Sequence, residues 1–156
     1  MAGLTISCES SRPEDTRSLG RQLGIVAQPG DVFLLVGELG AGKTVFTQGL
    51  GEGMGIREPI NSPTFVLLRE YQGRLTLYHY DLYRLANVES TVTREWEEFL
   101  YGQGVSAVEW ANRASELLPA DCLLLEFLIE SDTRRVLKLT ASGERHVALL
   151  SSLHCS

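Results

Sequence analysis

The chain has 156 residues, 44% of them hydrophobic and 22% charged, with a formal net charge of −6. That length suits a single domain with a core of its own, and the composition is that of an ordinary soluble globular protein. The acidic balance argues against tight nucleic-acid binding by this chain alone, because lysines and arginines that neutralise phosphates supply most of such affinity.

The three cysteines, Cys8, Cys122 and Cys155, are far apart, with no CxxC pair and no Cys/His cluster. This odd, scattered set argues against a disulfide framework and a structural zinc, and Cys8 and Cys122 read as small apolar residues in strands. No run approaches the roughly 18 apolar residues of a membrane helix. The chain opens without a long apolar segment, so a cytoplasmic protein with no membrane partner is expected.

In chain order, Leu4 to Cys8 alternates weakly, as a short strand does. Ser11, Pro13 and Glu14 resemble a helix start, a capping hydroxyl with a carboxylate three residues on, and Leu19, Leu23 and Val26 follow at helical spacing. Pro29-Gly30 is a turn signal. Val32 to Val36 is a continuous apolar run ending at Gly37, the pattern of a parallel strand buried on both faces. A helix is expected from Lys43 through Phe46 and Leu50, ending near Met54 as glycines accumulate. Phe65 to Tyr71 and Leu75 to Tyr80 flank Gln72-Gly73 as a hairpin. Asn87 can cap a helix carrying Val88, Val92, Trp96 and Phe99. Val105 to Val108 is a short strand, and Ser115 to Leu118 a possible helical turn before Pro119. Cys122 to Ile129 and Val136 to Leu139 surround Ser131-Asp132-Thr133 as a second hairpin, and His146 to Leu150 is a short amphipathic end. There is no internal repeat or linker. With the run GELGAGKT, a GxxxxGK[ST] phosphate loop, between the Val32 strand and the Lys43 helix, the expected architecture is α/β: a three-layer P-loop NTPase-like domain over residues 1–156, its mixed sheet having a parallel centre and antiparallel hairpins.

The most specific motif is Gly37-Glu38-Leu39-Gly40-Ala41-Gly42-Lys43-Thr44, a complete GxxxxGK[ST]. Glycines let the backbone curl so that the N–H groups of Leu39, Gly40, Ala41, Gly42, Lys43, Thr44 and Val45 can face phosphate oxygens. The following helix adds its positive end. Lys43 reaches the outer phosphates and the Thr44 hydroxyl suits magnesium. Lys43 and Lys138 are the only lysines among 14 basic residues, so the one compact point charge of this region sits at the motif position.

A P-loop site also needs a carboxylate for magnesium and a group that orients water. Asp81 and Glu109 each follow an apolar strand, where α/β sheets place ligand-binding residues. Spacing does not rank the two by nearness to the metal. Thr64 lies in the loop where other P-loop proteins carry a threonine that senses the terminal phosphate. His79 and Trp96 read as packed core residues. Trp110 follows Glu109 closely enough to lie beside the nucleotide or on a partner face.

GELGAGKT, NSPTF, YHYDLYRL and VEW, in this order between Gly37 and Trp110, strongly resemble the bacterial TsaE (YjeE-type) family, small ATPases of the tRNA threonylcarbamoyladenosine pathway. The resemblance implies ATP and magnesium as cofactors, slow hydrolysis, and association with TsaD and TsaB, with tRNA met only through that complex. Hydrolysis would reset the complex between cycles. It further implies that Lys43 and Thr44 hold phosphate and magnesium, that Thr64 is a switch-loop sensor, and that Asp81 and Glu109 surround magnesium and water. The chain departs from the family pattern at Glu38, where Asp is frequent, at Val45, where a second Thr is common, and at Ala111, where Pro is frequent. Its segment from Asn87 to Gln103 is also less typical. Two other readings compete. A small-molecule kinase would need a lid with paired arginines, and Arg134-Arg135 is the only adjacent pair. The other is a non-hydrolytic nucleotide-gated binding switch; one of the GTPase type would carry NKxD, which the chain lacks.

Overall fold

The computed structural model of the protein describes residues 3–38, 40–61, 68–81, 102–110 and 121–155. Its elements are β1 (Leu4–Ser10), α1 (Pro13–Val26), β2 (Val32–Gly37), α2 (Lys43–Gly53), β3 (Leu68–Gln72), β4 (Thr76–Asp81), β5 (Val105–Trp110), β6 (Cys122–Ile129), β7 (Arg135–Ser142) and α3 (Glu144–Ser151). The seven strands form one sheet in the order β1-β7-β6-β2-β5-β4-β3. β6, β2, β5 and β4 run parallel, while β7 and β1 on one side and β3 on the other are antiparallel additions. The mixed sheet expected from the strand patterns is therefore present. The expected helix from Asn87, with Trp96, and the turn at Ser115 to Leu118 lie outside the described residues.

The register carries one set of side chains across the whole sheet. Cys8 pairs with Leu137, Leu137 with Phe127, Phe33 with Leu123 and Ala107, and Ala107 with His79. Because strand side chains alternate, these residues share one face. That face packs against Leu19 and Leu23 of α1, Phe46 and Leu50 of α2, and Leu149 and Leu150 of α3. β2 is central: Val32, Phe33, Leu34 and Leu35 are each no more than 1% exposed, so both of its faces are buried, as its unbroken apolar run requires.

α1 starts later than the Ser11 signal suggested. Arg12 is the N-cap without a side-chain cap bond, Pro13 occupies the first turn, and the Ser11 N–H instead donates to Asp15 Oδ2 at 3.0 Å. Proline's fixed φ suits this position and sets the start.

The glycines that weaken α2 as a helix are what lets α1 cross it. A Cβ on Gly20 would lie 2.3 Å from the Phe46 carbonyl oxygen, and on Gly24 2.2 Å from that of Leu50. From the other side, a Cβ on Gly49 would lie 2.0 Å from the Arg17 oxygen and on Gly53 2.3 Å from that of Arg21. The two helices thus meet backbone to backbone through glycines four residues apart. Arg17 and Arg21 reach Glu52 at the exposed rim, where such pairs add little stability. Arg74, from the β3–β4 turn, donates to the carbonyls of Gly24 and Ala27 at 2.8 and 3.1 Å and closes the C-terminus of α1, which has no basic residue of its own there.

The amino end of β2 is held by a polar network around buried Asp31 and His146. Asp31, 1% exposed, accepts from Arg145 Nε at 2.8 Å and a second guanidinium nitrogen at 2.7 Å, and from the Gln28 N–H at 2.8 Å. The Val32 N–H donates to His146 Nε2 at 3.0 Å, so the ring hydrogen is on Nδ1, which donates to Asp121 Oδ1 at 2.5 Å. Asp121 also accepts the N–H groups of Arg145 and His146, capping α3 from outside the helix. His146 is therefore a buried tether as well as part of the amphipathic end.

A disulfide joins Cys8 to Cys155, which corrects the reading of Cys8 as an unpaired apolar residue. Their separation of 147 residues leaves no spacing signal, and only the return of the tail to α1 and β1, fixed also by reciprocal Gln22–His154 bonds, brings them together. Cys122 is free, and burial, aided by the Asp121 charge, pushes its thiol up to about 11, which leaves it inert at neutral pH. Among the described residues no helix is long and apolar enough to cross a membrane.

Two outcomes follow from these contacts. Helix propensity alone would make Gly49→Ala stabilising by ~1 kcal/mol. The Arg17 carbonyl in its way should reverse the sign and cost ~1–3 kcal/mol, lowering the urea midpoint; a raised midpoint would contradict the crossing. Asp121→Ala should cost ~1–2 kcal/mol at neutral pH through the lost cap. Desolvation pushes the Asp121 carboxyl upward, but the hydrogen bonds from His146 and Arg145 outweigh it and hold the group below its usual 3.8. A depressed folded value gives stability that is present above that ordinary value and lost as pH falls through the lower one. The deficit of the variant should accordingly shrink in denaturant titrations below about pH 4; a deficit independent of pH would refute the assignment.

Candidate functional site

At the carboxyl end of β2 the chain leaves the sheet at Gly37, turns with Ala41 N–H donating to the Glu38 carbonyl at 3.1 Å, and enters α2. Gly40 and Gly42 have φ of 83° and 109°, a left-handed conformation that side chains resist. Gly42 is the N-cap of α2 and, as a glycine, makes no side-chain cap bond. The Phe46 N–H, donating to Gly42 at 2.9 Å, is the first to close the helix. Lys43 folds back over the loop, its Nζ donating to Gly37 at 2.5 Å and to Glu38 at 3.4 Å. Thr44 and Val45 are half-buried. Leu39 and Thr64 lie outside the described residues.

The two acids arrive on neighbouring strands. β5 lies between β2 and β4, with Glu109 opposite Leu35 on one side and Asp81 on the other. All three strands are parallel, so the end of β2, Asp81 and Glu109 form one row at the carboxyl edge, where α/β sheets bind ligands. Trp110 follows in β5, opposite Val36. Glu109 is buried, and its Oε2 is 2.7 Å from Nε2 of His79, which is completely buried on β4. The expectation of a packed strand histidine holds, and it adds a polar contact to the candidate acid.

Beyond the loop opens a cavity of about 390 Å³ bounded by Ser10 to Glu14 and Thr16 at the start of α1, by Gly40 to Gly42 and Val45, and by Asp132, Thr133 and Arg135 of the β6–β7 turn. Its volume lies within the range typical of small-molecule sites. Ser10 Oγ donates to the Arg12 carbonyl at 2.9 Å, so the Thr16 hydroxyl donates to Ser10 at 2.7 Å, a buried pair that sets this wall. Arg135 reaches Ser131 at 2.8 Å and the Gly40 carbonyl at 3.4 Å, tying the turn to the loop. Apart from Gly40 to Gly42 and Val45 of the phosphate loop, none of the cavity residues is marked in the sequence as a site. Ser11 and Pro13 read only as a helix start and Asp132-Thr133 only as a hairpin turn, because their common feature is convergence from distant parts of the chain.

The arrangement suits an extended anionic ligand: amides and a lysine at one end and a mixed polar and apolar cavity at the other. Among the described residues no three His, Cys, Asp or Glu side chains gather as a metal cage. A magnesium carried by substrate phosphates needs only one or two protein ligands, for which Thr44 and the strand-end acids are suitable types.

This mixed sheet with its parallel centre, and the GxxxxGK[ST] loop between β2 and α2, define an α/β protein of the P-loop fold. Residues 10–137 match the family model for threonylcarbamoyl adenosine biosynthesis protein TsaE. The chain is 42% identical over 142 residues to the tRNA threonylcarbamoyladenosine biosynthesis protein TsaE of Bacillus subtilis, covering 90% of this chain and 89% of that protein. The TsaE of Treponema pallidum is 43% identical over 128 residues, covering 82% and 95%. The crystal structure of Bacillus subtilis YdiB superposes with a TM-score of 0.82 at 36% identity, over 97% of this chain and 95% of that one. The chain belongs to the TsaE family.

Proposed function

We propose that this chain is a slow, magnesium-dependent ATPase that acts in threonylcarbamoyladenosine modification of tRNA by resetting a TsaD–TsaB complex between catalytic cycles, in the cytoplasm. The observation that carries this reading is the alignment at one sheet edge of the glycine loop, Lys43 and the strand-end acids Asp81 and Glu109. The family's place in threonylcarbamoyladenosine biosynthesis supports the pathway.

In this reading the loop amides from Leu39 to Val45 cradle the phosphates, and Lys43 exchanges the Gly37 and Glu38 carbonyls for the outer phosphate oxygens. The Thr44 hydroxyl and one or both of Asp81 and Glu109 hold magnesium, and Thr64 senses the terminal phosphate. When bound, the metal neutralises charge that develops on the transferred phosphoryl group. The base and sugar lie in the cavity between α1 and the β6–β7 turn. The partner face lies around Asn61 to Thr64 and Asp81 to Arg84, beside the phosphates. Only a contact that differs between nucleotide states lets hydrolysis shift an assembly equilibrium.

Lys43→Ala should lower ATP hydrolysis by ~10²–10³-fold and weaken nucleotide binding. Asp81→Asn and Glu109→Gln should each cut turnover far more than stability, read by phosphate release and thermal unfolding on the same samples. Unchanged turnover in Lys43→Ala would remove the reading. Titrating TsaD–TsaB with the chain loaded with an ATP analogue or with ADP should give different affinities, and free tRNA should bind weakly at physiological salt because the chain carries a net charge of −6. Equal affinities in both states, or submicromolar tRNA binding by the chain alone, would exclude the resetting role.

A further inference from the structure

The molecule buries two histidines in very different ways. At His146 both ring nitrogens are used, one accepting from the Val32 N–H and the other donating to Asp121, as expected of a histidine kept for packing and tethering. At His79 only Nε2 has a partner, Glu109 Oε2 at 2.7 Å, while the buried Nδ1 has none among the described residues. The ring is completely buried on the apolar face of β4, opposite Ala107, and two residues along from buried Leu77. An imidazole with one nitrogen unpaired is a poor core residue, since the orphaned polar atom is desolvated without return and a leucine would fill such a position more favourably. What the imidazole supplies that a leucine cannot is a hydrogen bond to one oxygen of Glu109.

We propose that His79 is a positioning residue for Glu109. This rests on the reading of Glu109 as an acid of the magnesium–nucleotide site. A carboxylate has only acceptors, so Nε2 carries the hydrogen and donates to Oε2. The side chain of a glutamate has three rotatable bonds, and anchoring one oxygen to a ring that cannot move within the packed sheet fixes the plane of the carboxylate. Oε1 is then the oxygen presented for the metal or its bound water. The register makes the contact possible: His79 is opposite Ala107, Glu109 is two residues along β5 from Ala107 and so on the same face as His79, and the imidazole sits one pleat behind the acid. Outer partners of this kind orient ligating groups, and their loss typically lowers metal affinity ~10–100-fold.

The test uses the full chain bound to a non-hydrolysable ATP analogue, with Mn²⁺ as the paramagnetic probe and ATP turnover measured in parallel. His79→Gln retains an N–H that can reach the place of Nε2. His79→Asn presents its amide near the place of Nδ1, too short for Glu109, and His79→Leu keeps bulk alone. Affinity for the analogue without metal should stay within about twofold of wild type in all three, because the loop amides and Lys43 are untouched. Mn²⁺ affinity should fall ~10–100-fold in His79→Asn and His79→Leu and be largely rescued in His79→Gln. In turnover the loss should appear in kcat rather than in KM. Wild-type Mn²⁺ affinity in the Asn variant, or equal loss in the Gln and Asn variants, would overturn the inference and return His79 to packing. If Leu fails to fold, the Gln–Asn contrast still decides. Glu109→Gln separates the two levels: its retention of wild-type Mn²⁺ affinity would reject the role of Glu109 itself, whereas its loss alongside an unaffected His79→Asn would reject the His79 inference alone.

Discussion

The backbone-to-backbone crossing of α1 and α2 is the constraint on which the geometry of the site depends. α2 carries the phosphate-loop motif at its N-terminus, and the start of α1 forms the wall of the adjoining cavity. The distance between these two features is set by how closely the helices approach. Helices separated by ordinary side chains lie ~8–10 Å apart. Gly20 and Gly24 against Gly49 and Gly53 remove the side chains at the crossing and bring carbonyls to where a Cβ would stand. The loss of helix propensity in α2 is offset by tertiary contact, as is usual for short helices. Phe46, on the same helix, then stacks edge-on against Phe127 and tilted against Phe33, with ring centroids 6.0 and 6.3 Å apart, so the crossing is keyed to the centre of the sheet.

The two edges of the parallel strands have divided roles. At the amino edge of β2, Asp31, Arg145, His146 and Asp121 form a largely satisfied network that ties α3 to the sheet. A buried ion pair of this type is weak evidence for net stability, since desolvation consumes much of its attraction, but removing one partner leaves a costly orphan charge. At the carboxyl edge the polar groups are those of the candidate site. Gly42 caps α2 without a side-chain bond, and the buried Nδ1 of His79 has no partner among the described residues.

The proposed role in tRNA modification agrees with the charge of the chain. A net charge of −6 disfavours direct contact with a polyanion, and recognition of tRNA would be left to the partner proteins. The cavity near the loop is built from the start of α1, the loop and the β6–β7 turn, with Arg135 joining the turn to the loop and the Ser10–Thr16 pair fixing the α1 wall.

Much of this architecture is legible in local sequence. The apolar run of β2, the glycine motif and the helix at Lys43 follow from period, glycine placement and backbone conformation, all of them properties of neighbouring residues. The turns at Gln72-Gly73 and at Ser131 to Thr133 mark the two hairpins in the same way. The candidate acids were found because strand ends can be recognised, yet only the parallel register places Asp81 beside Glu109, and only packing sets His79 against that glutamate. The N-cap of α1 lies one residue beyond Ser11 because Pro13 fixes the first turn, a competition between two local signals that the sequence leaves open. Cys8 with Cys155, Asp31 with Arg145 and the walls of the cavity could not be read at all, since each joins segments more than 100 residues apart or depends on three separate elements. The sequence by itself determined which segments are strand, helix and phosphate loop, because backbone preference and hydrophobic period act over a few residues. The tertiary structure alone decided which side chains meet, because hydrophobic burial is non-directional and only the assembled sheet and its glycine-lined helix crossing select one set of long-range partners.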